Sequence, residues 1–412
     1  MADTNSTAPD VVGNPDASFW RFSRSSGWDL THTTSSPPAG QRLTLTTTTA
    51  PITIAAAKTA LVVVDMQNLF LSPAMSSSST PHTDTGTDTG TDTDADADTK
   101  LTPGLAAEAA LLGTAFPAAR AAGIRVVHVT WGLDEGSLAA LPPVLHRVFG
   151  FRAIARGGDG EEFDEENGGI GPGGDLGSRI LPDGTSVAAG RLLVRGQWNT
   201  ALHGGFQDAF DESLQEAVPQ VRFQKERLSG FFLGRDGDAG RGGGGPKDLV
   251  EFLDEEGITT LLFAGVNTDQ CVLASLKDAC DLGFDTVLLR DGCGTNSPDF
   301  ARLMVEYNAR RCWGFVSSCE ALAAAVKAAE AAAAAAERAR YGHAGLRLHE
   351  FVAVGRRATT ITDTHLSHLP AVVLALQVRR GENGVVSRVN VAEIDEGAWI
   401  AARPAWKFVV LM

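Results

Sequence analysis

Leu261-Leu262-Phe263-Ala264-Gly265-Val266-Asn267-Thr268-Asp269-Gln270-Cys271-Val272 decides the fold of this chain. A short unbroken apolar run reads as a strand buried on both faces, the pattern of strands in parallel sheets. The run ends at Gly265, Thr268 and Asp269 offer N-caps, and Val272, Leu273, Leu276, Ala279 and Cys280 recur at helical spacing. The stretch therefore predicts strand, turn and helix, with Cys271 in the first turn of the helix. Unpaired N–H groups and the positive end of the helix dipole favour a thiolate there, the reactive form of cysteine. A buried packing cysteine is the competing reading of the segment alone.

Working outward, Ala60 to Asp65, Ile124 to Trp131, Val221 to Lys225 and Thr286 to Asp291 also read as strands. Leu105 to Ala122, Leu249 to Glu256 and Cys271 to Leu282 read as helices. This alternation predicts one doubly wound α/β domain over residues 40–328, a mostly parallel sheet with helices on both faces. Such sheets bind ligands at the carboxyl ends of their strands. Asp65, Lys225 and Cys271 all sit at or just past such ends.

The rest of the 412 residues reads as appendage. Residues 1–39 form an amino-terminal arm, partly disordered, with Phe19, Trp20 and Trp28 available to pack on the domain or on a neighbouring subunit. Residues 76–100 run through serines into Thr-Asp-Thr-Gly repeats with no large apolar side chain, so they cannot offset their ordering entropy and are expected to be a disordered insertion. Segments 157–190 and 235–246 are glycine-rich and read as long surface loops. Residues 329–412 comprise an alanine-rich helix and an extension without a chemical motif, with a hairpin from Ala371 to Val386.

The net charge of −15 is concentrated partly in these loops, and no basic stripe with interleaved aromatics occurs, so nucleic acid is not an expected partner. No apolar run approaches a membrane span, and the amino terminus lacks a basic patch followed by an apolar core. Five cysteines without framework spacing fit a reducing compartment, and the cytoplasm is expected.

Asp65 ends the buried run Ala60-Leu61-Val62-Val63-Val64, where a carboxylate is costly unless paired or used. Its bland reading is a turn cap. Lys225 alone reads as a solvated strand-end lysine. Taken together, however, Val64-Asp65-Met66-Gln67-Asn68-Leu69-Phe70, Lys225-Glu226-Arg227-Leu228-Ser229-Gly230-Phe231 and Gly265-Val266-Asn267-Thr268-Asp269-Gln270-Cys271-Val272 resemble, in this order, the isochorismatase-like cysteine hydrolases. The resemblance implies a six-stranded parallel sheet and a catalytic triad of Asp65, Lys225 and Cys271. It also implies an oxyanion hole from backbone N–H groups of Asn267 and Cys271, and a cis peptide between Val266 and Asn267. The activity implied is cleavage of a C–N bond in a small amide, carbamoyl or ureido compound through a thioester. A small-molecule substrate and a homo-oligomer follow as expected partners.

Gln67, Phe70, Trp131, Trp198 and Phe231 lie beside these motifs and are candidate substrate-binding residues, each with a core-packing alternative. Arg195 and Arg227 are candidates for a substrate carboxylate or are surface cations. Nicotinamidases of the superfamily bind a metal through histidines after the first motif. Here only His82 falls between Phe70 and Leu101, while His128 and His146 read as packing or surface residues, so neither metal nor cofactor is expected. Two other readings stay open: an isochorismatase-type vinyl-ether hydrolase, against which the cysteine argues, and a non-catalytic binding protein.

Overall fold

The computed structural model describes residues 9–16, 18–33, 40–76, 102–150, 170–232, 249–342, 374–380, 386–393 and 407–408. The expected insertion beyond Ser76, the expected loop at 235–246 and His82 fall outside these residues. The chain divides into two units, Met1–His343 and Ala344–Met412.

In the first unit, six strands form one sheet: β1 Thr59–Val64, β2 Arg125–Trp131, β3 Val221–Lys225, β4 Thr260–Val266, β5 Asp285–Gly294 and β6 Phe315–Ser317. Their spatial order is β3-β2-β1-β4-β5-β6, and every neighbouring pair is parallel. The order reverses between β1 and β4, the switch point at which doubly wound sheets open a crevice. Register sets what meets there. Val64 of β1 pairs with Gly265 of β4, and Lys225 of β3 pairs with Trp131 of β2, so the residues that follow β1 and β4 leave the sheet side by side.

Gly265 makes this close approach possible. Its φ is 117°, and a Cβ there would lie 2.0 Å from the Val64 carbonyl oxygen. A side chain at this position cannot be accommodated without separating the two central strands.

Helices α1 Pro103–Ala110, α2 Phe116–Ala122, α3 Gly205–Ser213, α4 Leu249–Glu255, α5 Leu273–Asp281, α6 Asp299–Asn308 and α7 Cys319–Gly342 cover the sheet. The buried side chains of β1 and β4, including Leu61, Val62, Val63, Leu262 and Phe263, are fully enclosed. That is why both strands read as continuous apolar runs rather than alternating ones.

Residues 170–190, expected as loop, fold back on the domain: Ser178–Ile180 pairs antiparallel with Ser186–Ala188, and Leu176 and Ala189 are buried. Their glycines supply left-handed corners, Gly177, Gly184 and Gly190 among them. At the carboxyl end, α7 spans Cys319–Gly342, and Leu322, Ala325 and Val326 anchor its first turns in the core.

The amino-terminal arm is a sheet, with Asp10–Gly13, Phe19–Ser23, Gly27–Asp29, Ile52–Ala55 and Arg42–Leu45 adjacent in that order. It is fastened to the domain through Asp285 at the start of β5, which accepts from Trp20 Nε1 at 2.6 Å and pairs with His32 Nε2 at 2.7 Å. The second unit contains Leu374–Arg380 paired antiparallel with Val386–Glu393 and with Lys407–Phe408.

Candidate active site

Asp65 follows β1 with φ 53°, a left-handed conformation that Asp and Asn tolerate better than other side chains. Its carboxylate is 1% exposed and Oδ2 lies 3.0 Å from Lys225 Nζ. The ammonium also donates to the carbonyl oxygens of Arg227 and Leu228, each at 3.1 Å, and sits 3.8 Å from the centre of the Trp131 ring. Its three protons are thus claimed by one carboxylate and two carbonyls, over the negative face of an indole. The Cys271 thiol lies close enough to Asp65 and Lys225 for the charge of each to act on it. Three groups far apart in sequence converge at the carboxyl ends of β1, β3 and β4.

Burial and charge act against each other here. Burial raises the Asp65 pKa above the ordinary carboxylate value, with the Lys225 ammonium and the Cys271 hydrogen bond opposing it. Burial pushes the Cys271 thiol up to about 12; Lys225 draws it down, and the Asp65 charge raises it further. The sequence expected a thiol shifted toward thiolate by the helix terminus. In the structure Cys271 is 5% exposed, and desolvation outweighs the dipole. The resting group is therefore a thiol beside a carboxylate that can accept its proton.

The turn carrying Cys271 is also unlike the one expected. Thr268–Val272 is a π-helical turn, a form that occurs mostly as single turns, frequently at functional sites. Its N-cap is Asn267 without a side-chain cap bond, rather than Thr268 or Asp269. Asp269 instead accepts from Thr295 Oγ1 at 2.6 Å. The Val266–Asn267 peptide is cis. The Asn267 carbonyl accepts from the N–H groups of Gln270 and Val272 at 3.1 and 3.2 Å, which fixes the plane of that residue against the turn.

Of the candidate substrate-binding residues, Gln67, Trp131 and Phe231 are buried. Gln67 is fully buried and donates to the carbonyls of Trp131 and Thr200 while accepting from the Trp131 N–H, so both of its amide donors are engaged. Trp131 is enclosed beneath Lys225, and Phe231 packs against Phe263 and Phe284. Phe70 and Trp198 are half-buried at the rim of the core, and the Trp198 carbonyl accepts from Asn68 Nδ2 at 2.9 Å. Arg227 donates to the Glu226 carbonyl and lies 5.4 Å from the centre of the Phe232 ring, while Arg195 donates to the Gly132 carbonyl.

His128 is an enclosed packing residue. No group of three or more His, Cys, Asp or Glu side chains with metal-binding geometry occurs among the described residues. A groove of about 600 Å³ opens beside the Cys271 turn, with Leu228, Asp269, Gln270, Leu273 and Trp313 in its walls. The Arg227 and Leu228 carbonyls that hold Lys225 left no trace in the sequence reading, because a backbone acceptor carries no residue-type signal.

Comparison with known proteins places this geometry in context. The isochorismatase domain matches residues 59–321. The chain is 28% identical over 289 residues to the ureidoacrylate amidohydrolase RutB of Rhizobium rhizogenes, covering 70% of this chain and 92% of that protein. It is 29% identical over 293 residues to the ureidoacrylate amidohydrolase RutB of Serratia proteamaculans, again covering 70% and 92%. Among solved structures, a cysteine hydrolase from Pseudomonas syringae pv. phaseolicola aligns with 14% identity and a TM-score of 0.40, over 72% of this chain and all of that one.

Proposed function

This chain belongs to the isochorismatase family, and we propose that it is a cysteine hydrolase cleaving the C–N bond of a small amide, carbamoyl or ureido substrate, with Asp65, Lys225 and Cys271 as its triad. The observation that carries the reading is the buried convergence of all three groups: the 3.0 Å Asp65–Lys225 pair, with the buried Cys271 thiol under the influence of both charges. The named activity of the two bacterial relatives supports the ureido class as the first to try.

In this mechanism the Cys271 proton passes to Asp65 as the sulfur attacks the substrate carbonyl carbon. The tetrahedral oxyanion is received by the backbone N–H groups of Asn267 and Cys271; loss of one such donor typically costs about 10²-fold or more in rate. Collapse breaks the C–N bond, and the proton held on Asp65 goes to the departing nitrogen. Water then attacks the thioester carbonyl and gives its proton to Asp65, and the sulfur leaves and is reprotonated. Lys225 remains charged throughout and offsets the negative charge on whichever partner carries it.

Ammonia release from a panel of ureido compounds, carbamates and primary amides, with trapping of a covalent adduct on Cys271 by mass spectrometry, tests the reading. Turnover that survives in Cys271→Ala would support vinyl-ether chemistry instead. Absence of turnover and of any adduct across the panel would leave the binding-protein reading.

The same reading has the enzyme acting as a cytoplasmic homo-oligomer on a small molecule. Among the described residues no helix is long and apolar enough to cross a membrane. An exposed apolar stripe on α6, Phe300, Leu303, Met304 and Tyr307, supports pairing of two copies, with Val305 and Ala309 buried on the helix's other side. Asp299 begins this helix and Arg310 and Arg311 follow it, so an antiparallel two-fold pairing sets acid against base at both ends. Light scattering of wild type against Met304→Asp reads it: equal masses for both, at the monomer value, would remove the oligomer from the proposal.

A further inference from the structure

Ser275 lies on the first turn of α5, four residues after Cys271, and is fully enclosed. Its hydroxyl makes two bonds that join otherwise separate parts of the site. Oγ donates to the Cys271 carbonyl oxygen at 2.8 Å, and the same oxygen accepts from the Gly230 N–H at 3.1 Å. The first bond holds the π-helical turn that carries the sulfur. The second holds the loop after β3, whose Arg227 and Leu228 carbonyls cradle the Lys225 ammonium.

We propose that Ser275 is a positioning residue whose hydroxyl fixes the separation between the Cys271 turn and the Lys225 cradle. The proposal rests on the cysteine-hydrolase reading above and adds to it the element that keeps cation and nucleophile in register. Among the described residues Ser275 is the side chain whose hydroxyl bonds both segments, whereas Ser229 Oγ accepts from the Phe231 N–H within its own loop. The loop has little freedom elsewhere, because a Cβ on Gly230 would come within 2.5 Å of Val129 Cγ1 on β2. The loop is therefore pressed on the sheet from one side and tied to the nucleophile turn from the other. Removing the hydroxyl leaves the part-buried Gly230 N–H without its acceptor and frees both segments to drift.

The test compares wild type, Ser275→Ala and Ser275→Thr by two measurements. The first is steady-state kcat and KM on the amide whose hydrolysis Cys271→Ala abolishes. The second is the pH dependence of iodoacetamide alkylation at Cys271, followed by peptide mass spectrometry so that the other cysteines do not contribute. Misplacement on the ångström scale costs about 10²-fold in rate, so Ser275→Ala is expected to lose kcat by that order with KM changed by less than about twofold. Its alkylation curve moves to higher pH, because a receding ammonium no longer favours the thiolate, and Ser275→Thr recovers both values.

Superimposed alkylation curves with unchanged kcat overturn the proposal. So does a Ser275→Thr enzyme as impaired as Ser275→Ala, which makes shape rather than the hydroxyl responsible. Alkylation needs no turnover, so a protein that hydrolyses no amide defeats the functional reading while the curves still decide the role of Ser275. Should Ser275→Ala fail to fold, the near-isosteric pair Ser275→Thr and Ser275→Val makes the same comparison.

Discussion

At the scale of residues, the proposed mechanism makes the Asp65 carboxylate both base and counter-charge. Because burial raises its pKa above 3.8, the acid limb of kcat/KM is expected above that value, with activity rising as Asp65 loses its proton. Asp65→Asn separates the two roles, and Asn tolerates the φ of 53° that Ala would not. Hydrolysis is expected to fall by at least about 10²-fold, the usual contribution of a general base. Alkylation of Cys271 at neutral pH is expected to change in the opposite direction and become faster, because the Asp65 charge raises the thiol's pKa while Lys225 lowers it. A variant slow in both measurements would show that Asp65 does not act on the sulfur in this way. The same substitution leaves Lys225 buried without its anion, and breaking a buried pair costs about 3–5 kcal/mol, so the thermal midpoint should also drop.

At the scale of elements, five of the six sheet strands were legible because their enclosure on both faces is written as unbroken apolar runs. The sixth was not: Phe315–Ser317 is three residues long and is held by its neighbour β5, without a pattern of its own. The three proposed catalytic residues were legible as motifs at strand ends, whereas the burial of Gln67 and Phe231 was not, because a polar or aromatic side chain next to a motif has the same signature inside as at a surface. The arm was legible only as aromatic content, since its strands are short and its fastening depends on Asp285, distant in sequence. That fastening gives a prediction. Asp285→Ala leaves the part-buried Trp20 Nε1 and the buried Thr260 hydroxyl, which donates to Oδ2 at 3.3 Å, without an acceptor, at about 1–3 kcal/mol for the buried hydroxyl. Because Asp285 starts β5 while the triad lies at the opposite, carboxyl edge of the sheet, the thermal midpoint should fall with kcat/KM at 25 °C unchanged. A loss of activity in protein shown to be folded would mean that the arm reaches the site after all.

At the scale of the whole molecule, acid stability is set by groups that fold uncharged as well as by those that fold paired. His128 on β2 is fully enclosed, hydrogen-bonded through Nε2 to Gln220 Oε1 at 2.7 Å, and edge-packed with Phe116, Phe206 and Phe210. Burial lowers its pKa from 6.5 to about 4, with the nearby Arg222 charge acting in the same direction and the Gln220 bond against it. The unfolded chain therefore binds a proton at this histidine from pH 6.5 downward, while the folded chain refuses it until about 4. Its contribution is fully present above pH 6.5 and is lost as the pH falls through that window, to a total of about 3 kcal/mol. Asp65 works in the opposite sense, since a raised carboxylate pKa makes protonation favour the folded state. Comparing variants isolates the histidine from it. His128→Phe suits the aromatic surroundings but strands Gln220 Oε1, so at pH 8 it should be less stable by about 1–3 kcal/mol. Between pH 6.5 and 4 it should lose stability less steeply than wild type, and the two denaturant-unfolding curves should converge. Parallel decline of both proteins would mean that His128 takes up its proton in the folded state, and that the enclosure around it opens to water.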